Sequence, residues 1–274
     1  MALKQSLQWF KTSVLTLILL LFVTPFLMIL VNAFKANKEI TSRPLSLPVE
    51  WKTSNFATAF EKMNYMHSFT NSLIVTVFSV ALISVCAAMT AHYIVRNNTR
   101  LNQLLFLLMV ASMIIPFQAL MIPLVKIYGA LGMLSSKAAL IYMYIGFGSP
   151  LAVFIYHGFI KGIPSELEEA AMIDGCTRPQ TFFRIVLPVL MPTTVTISIL
   201  NVLWIWNDFL LPFLVLIDKN SRTLPLSTFY FYGSYSVDYG PLMAGLLLTV
   251  LPVIVVYLFA QKHIIQGVMQ GSIK

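Results

Sequence analysis

Residues 12–34 read TSVLTLILLLFVTPFLMILVNAF, a run without a single charged side chain. Transfer of such a stretch to water exposes far more apolar surface than a surface helix can afford, and about 20 such residues are what a helix needs to cross a bilayer. Outward from this run the pattern repeats. Further apolar stretches fall at about 69–95, 103–125, 138–160, 191–216 and 241–261, separated by short polar segments. The chain of 274 residues is 58% hydrophobic and 10% charged, with a mean hydropathy of +0.82. A soluble domain carries roughly 25% charged residues, so a water-facing surface cannot be assembled from this composition. The expectation is an all-α integral membrane protein with six spans.

Lys4 and Lys11 precede the first run and imitate a signal peptide, but the run is long and has no small-x-small cleavage pattern. It is expected to stay as the first span. The net charge is +8. Lys and Arg gather at the ends of apolar runs, which suits lipid headgroups, and no basic, aromatic-interleaved patch points to nucleic acid. Cys86 and Cys176 lack the spacing of a disulfide framework or metal site. No cluster of metal-ligating or nucleophilic residues stands out, and no catalytic residues are expected. Orientation does not follow from positive charge. Alternating the loops leaves nine Lys and Arg on each side. Pro25, Pro116, Pro123, Pro150, Pro212 and Pro252 lie inside spans. Each removes a backbone donor, and together they suggest helices that bend.

The polar stretch 161–190 is the most organised connection. Ser165 and Glu168 have capping-box spacing, as do Thr177 and Gln180. Leu167, Ala170, Ala171 and Asp174 fall on one side of the first short helix, and Gly175 suits the left-handed residue that ends one. The expected form is a helix–turn–helix outside the hydrocarbon. Its small residues thin the turn for close approach by a partner. Glu166, Glu168 and Glu169 give it an acidic edge that suits a partner's Arg or Lys; an interfacial helix favours cations instead.

Glu169-Ala170-Ala171, three residues, Gly175, nine residues, then Ile185-Val186-Leu187-Pro188 resembles the EAA signature of ABC importer permeases. Cys176 stands where that family usually has Ala. Asn71-Ser72-Leu73, then Ala91, Tyr93 and Arg96, Pro116, and Trp206-Asn207-Asp208-Phe209 are similar to the MalG-like carbohydrate permeases. So is the tail Gln261-Lys262-His263 with Gly267, Gly271 and Lys274, although the family's final Gly is missing.

The resemblance implies the type I ABC importer permease fold. Its parts would be a cytoplasmic N-terminus (1–11), the first span (12–34), an external loop (35–68) and a permease core (69–261). A cytoplasmic coupling loop (161–190) and tail (262–274) complete it, with both termini cytoplasmic in the cell membrane. Partners implied are a homologous MalF-like second permease subunit, two cytoplasmic ABC ATPase subunits, an extracytoplasmic sugar-binding protein and membrane lipid. ATPase docking falls to Glu166, Glu169, Ala170, Ala171, Asp174, Gly175 and Arg178. The chain has no Walker A loop, so ATP and magnesium belong to the partner and the chain is not itself the enzyme. Alternating access is the implied mechanism, with the 165–187 element passing ATPase closure to spans three to five.

Other candidates are less specific. Asn201 lies near the middle of span five and suits either a substrate pathway or helix–helix hydrogen bonding. Trp206 and Asn207 are further pathway candidates, though Trp204 and Trp206 equally suit interfacial anchors. Asp208, near the outer end of that span, suits an interfacial structural role. His92 suits snorkelling or packing. Tyr230, Tyr232 and Tyr235, in a loop with Phe229 and Phe231, either contact the binding protein or anchor at the interface. The expected cargo is an oligosaccharide, with a polyol or glycerol phosphate as the alternative. An ion-coupled transporter would want midplane carboxylates, and Asp208 is the one carboxylate in any span. A channel would want a pore loop or an Arg-rich sensor, and neither is present.

Overall fold

A computed structural model describes the backbone of residues 2–233 and 235–272, and side chains of 8–233, 235–259 and 261. No strand occurs among the described residues beyond one isolated bridge, Tyr232 to Val237. The chain divides into two compact units, residues 1–66 with 227–252, and residues 67–226 with 253–274.

In the first unit, α1 (Ala2–Asn32) carries the opening apolar run, and none of its apolar window from Gln8 onward is buried. Helices α2 (Asn37–Ser42) and α3 (Ser54–Lys62) occupy the 35–68 connection on either side of Pro44 and Pro48. Between the two helices, residues 43–53 carry no regular helix. Lys35 is fully buried, and its Nζ donates to the Arg43 carbonyl at 3.0 Å. Asn55 Nδ2 donates to the carbonyls of Ala33 and Lys35 at 2.8 and 2.9 Å, sewing the loop to the end of α1. Gly240 sits against this seam; a Cβ there would lie 2.8 Å from Asn55 Nδ2 and 2.9 Å from the Lys35 carbonyl. Lys62 pairs with Asp238 at 2.8 Å, and Asn37 also donates to Asp238. The hydrogen bond from Lys62 holds the Asp238 carboxyl below the usual carboxylate range.

The second unit holds most of the core. Long helices α4 (Tyr65–Arg96) and α7 (Lys137–Ile160) bury small residues such as Ala87, Ala88 and Ala152 beside Ile83, Tyr144 and Tyr156. Small side chains let helices approach closely where no hydrophobic drive favours helix over lipid. Gly148 shows how close: an added Cβ would meet Ile83 at 2.6 Å and Asn201 at 2.9 Å. At its other end α4 pins a loop. Asn71 Nδ2 donates to the carbonyls of Asn220 and Arg222, its Oδ1 accepts from Lys137, and Ser72 Oγ accepts from the Leu224 amide.

Spans three and five are broken into separate helices, a sharper change than the bends that their prolines suggested. Helix α5 (Arg100–Ser112) and α6 (Phe117–Ala130) meet at 105°. Pro116 disfavours helical backbone at Ile115 and can donate no bond of its own, so the helix stops and restarts. After α8 (Glu166–Ile173) come α9 (Arg178–Thr181), a π-turn (Phe182–Val186) and α10 (Leu187–Val189). Residues 178–189 meet α11 (Met191–Asn207) at 76°. The stretch 208–216 is a separate short helix, α12 (Leu210–Val215), because Asp208 leaves the helical conformation and its Oδ1 caps the Leu210 amide. Helix α13 (Leu224–Ser227) precedes α14 (Tyr239–Ser272), which runs past the expected end of span six at 261. Of tail residues 262–272, Gly267 and Gly271 among them, the backbone alone is described, and Lys274 lies outside the described residues. Among the described residues, four helices are long and apolar enough to cross a membrane, or up to six if each bent pair is one span.

Candidate functional site

The 161–190 connection builds its site from α7's end. Pro164 interrupts the chain after α7, and α8 starts at Glu166. The expected capping box of Ser165 and Glu168 does not form. Ser165 is in helical conformation (φ −66°, ψ −25°), with no bond from its side chain to the helix. The reason is that Glu168 is engaged elsewhere. Its Oε1 accepts from Arg96 Nε at 2.8 Å and lies 2.7 Å from Nη2, while Oε2 lies 2.8 Å from His92 Nε2. Arg96 Nη2 also donates to the Ile163 carbonyl at 2.9 Å. These groups are largely shielded: Glu168 is 8% exposed. His92 thus does more than snorkel or pack, because α8 offers it a carboxylate.

Gly175 ends α8 as expected. At φ +88° it sits where L side chains are strained. Its amide donates to Met172, and the Cys176 amide to Ala171. These two bonds make a Schellman motif, which satisfies carbonyls that a helix end otherwise orphans. The return arm starts with Thr177, whose amide donates to Gln180 Oε1 at 2.8 Å. The π-turn then carries Phe182, 5% exposed, whose ring lies 5.4 Å from that of His92. Single π-turns inside helices concentrate at functional positions.

The buried face of α8 is Glu168 and Ala171. The side holding Leu167, Ala170 and Asp174 faces outward, so Ala171 parts from the set that sequence spacing grouped with it. Glu166, Glu169 and Arg178 are exposed as well, and Ile173 is 86% exposed. Glu166, Glu169 and Asp174 form no ion pair with any described residue. Beside α8 a hollow of about 500 Å³ opens between Met89, Glu169, Met172, Arg178 and Phe183. The element presents unpaired acid and bare apolar side chains on a rigidly capped turn. A surface of that kind is suited to a basic, partly apolar partner.

The remaining candidates scatter. Asn201 is buried, and its Nδ2 donates to the Ile197 carbonyl of its own helix. Trp206 is 6% exposed and meets Phe69 edge-on at 5.6 Å. Asn207 is exposed and donates to the Leu203 carbonyl. Asp208 accepts from buried Tyr144 at 2.9 Å, which gives it a structural task. In the first unit, Tyr230 is half-buried while Tyr232 and Tyr235 are exposed. Among the described residues no group of three or more His, Cys, Asp or Glu could hold a metal ion. Sequence reading missed the joining of His92, Arg96 and Glu168. The available signal was a His and an Arg four apart, hence on one face of α4, opposite three neighbouring carboxylates in need of cations.

Comparison with known proteins adds to this geometry. The family described as "Binding-protein-dependent transport system inner membrane component" matches residues 82–270. The probable starch degradation products transport system permease protein AmyC of Thermoanaerobacterium thermosulfurigenes is 43% identical over 255 residues, 93% of each chain. The melibiose/raffinose/stachyose import permease protein MelC of Bacillus subtilis is 35% identical and covers 91% of each. In fold, the chain is similar to one from a bacterial ABC transporter involved in the import of the acidic polysaccharide alginate. The TM-score is 0.79 at 19% identity, over 94% of this chain and 96% of that one.

Proposed function

The chain belongs to the family of binding-protein-dependent transport system inner membrane components, and from that premise we propose that it is the permease subunit of an ATP-driven oligosaccharide importer. The observation that carries this reading is α8, an exposed acidic helix whose opposite face is fixed to the bundle by Glu168 and whose end is set by Gly175. Relatives named for starch degradation products and for melibiose, raffinose and stachyose, each matching along more than nine-tenths of its length, support oligosaccharides over polyols.

In this reading each bent pair is one span, giving six, with both termini and the 161–190 loop cytoplasmic and 35–68 outside. The 12–34 run is the first span, 69–261 the permease core and 262–274 the tail. Glu166, Glu169, Ala170, Ala171, Asp174, Gly175 and Arg178 form the docking element for one of two ATPase subunits, which bind and hydrolyse ATP with magnesium. Ala171 acts from beneath, keeping α8 close to its support. A second, homologous permease completes the pathway, lined from this side near Asn201, Trp206 and Asn207. A sugar-binding protein delivers cargo near Tyr230, Tyr232 and Tyr235. The apolar side chains left exposed along α1 face lipid or that second subunit.

The test is Glu169→Lys in the assembled transporter. Charge reversal at the docking face should abolish uptake of labelled raffinose and maltotriose while the chain still reaches the membrane. Full uptake with normal ATPase association would defeat the docking assignment.

A further inference from the structure

Glu168 and Glu169 are neighbours in sequence but about 100° apart around the helix. One faces outward for docking; the other is turned inward onto α4. A docked element can pass force only to what holds it. By backbone, α8 hangs from α7 through residues 161–165, which include Gly162 and Pro164, and from α9 through the turn at Gly175. The first is a short non-helical link, and the second is the turn closed by the two bonds at Gly175. The third attachment is of another kind. Arg96 holds the Glu168 carboxylate with two nitrogens and the Ile163 carbonyl with one of them, so a single guanidinium fastens both the helix and its entry loop. One turn earlier, His92 bonds the other carboxylate oxygen and packs its ring on Phe182 of the returning π-turn. One face of α4 therefore grips the entry, the helix and the return arm together.

A shielded ion pair adds little net stability over an apolar contact, so its use here is geometric. Planar guanidinium to carboxylate fixes direction as well as distance. We infer that His92, Arg96 and Glu168 form a latch that makes α4 the first recipient of any displacement of α8. This rests on the docking reading above and deepens it: the sequence pointed transmission toward spans three to five, whereas the latch delivers it to span two. His92, Arg96 and Glu168 are positioning residues, acting through α8 and not on ATP or sugar.

Cys86 provides a native reporter, since it lies on α4 ten residues before Arg96 and is exposed. In a Cys176→Ser chain assembled with its ATPase subunits in lipid, a spin label at Cys86 should change mobility on addition of ATP, magnesium and vanadate. Glu168→Gln keeps the side chain's shape and removes its charge. The variant should retain ATPase binding and hydrolysis, while the fraction of complexes showing the Cys86 response falls about tenfold, the scale of one lost network contact. The exchange Arg96→Glu with Glu168→Arg should restore part of the response over Glu168→Arg alone. An unchanged response in Glu168→Gln would overturn the latch. So would loss of ATPase binding in Glu168→Gln, because the pair would then be a prop for the docking face. If the unsubstituted chain fails to bind an ATPase at all, the docking reading falls, an outcome distinct from either.

Discussion

Two carboxylates in this protein are each held by a cation and a second donor, and the two sites behave differently. Glu168 meets Arg96 and His92 with its side chain 11% exposed. Asp238 meets Lys62 and Asn37 with its side chain 35% exposed and the lysine 47% exposed. Distances are nearly the same, so geometry alone does not rank them. Solvent does: water and salt screen the second pair, while the first has exchanged water for fixed partners. The shielded site can hold a helix in one orientation. The open one trims a loop.

The comparison can be broken from its strong side first. Arg96→Ala would leave Glu168 shielded without its main partner, a change expected to cost about 3 kcal/mol, read as a fall in thermal stability of the purified chain in detergent. Equal stability would mean that the site is wetter than its burial implies. Gly240→Ala comes next, at about 1–3 kcal/mol, because its Cβ would strike the Lys35 backbone as well as the Asn55 side chain. The readout is faster hydrogen exchange across residues 33–55. Gly175→Ala should cost about 1–2 kcal/mol through its positive φ, visible as faster exchange at the Cys176 amide.

The open pair gives the smallest effect. Lys62→Ala should change stability by about 0–1 kcal/mol. Because folding lowers the Asp238 pKa, its contribution is present above about pH 4, the ordinary carboxylate value. It is lost as pH falls through the lower folded value. A carboxylate titration of Asp238 by NMR should therefore move upward in Lys62→Ala. No movement would remove Lys62 as the cause.

Much of the architecture was legible because apolar blocks of span length leave few alternatives. All-α membrane architecture, α7 at almost its expected bounds, and the helix ended by Gly175 came from pattern. The break at Pro116 was half legible: proline marks where a helix fails, but 105° between α5 and α6 depends on what each half packs against. The separation at Asp208 was missed because Leu210 to Leu216 continues the apolar run, and hydropathy cannot register a capping carboxylate. The Ser165–Glu168 capping box failed for a related reason. Local spacing proposes a partner three residues away, but a residue 72 positions distant, Arg96, offers full charge. Pairings of that kind require the fold.

The central claim is that the outward face of α8 docks an ATPase. In a chain with Cys86 and Cys176 changed to Ser, a benzophenone maleimide at Ala170→Cys, which is exposed, would be compared with the same probe at Ala171→Cys, which is buried. Illumination of the assembled transporter should attach an ATP-binding subunit at position 170 and give little product at 171. Attachment to lipid alone at position 170, with the ATPase still co-purifying, would place docking elsewhere and contradict the account.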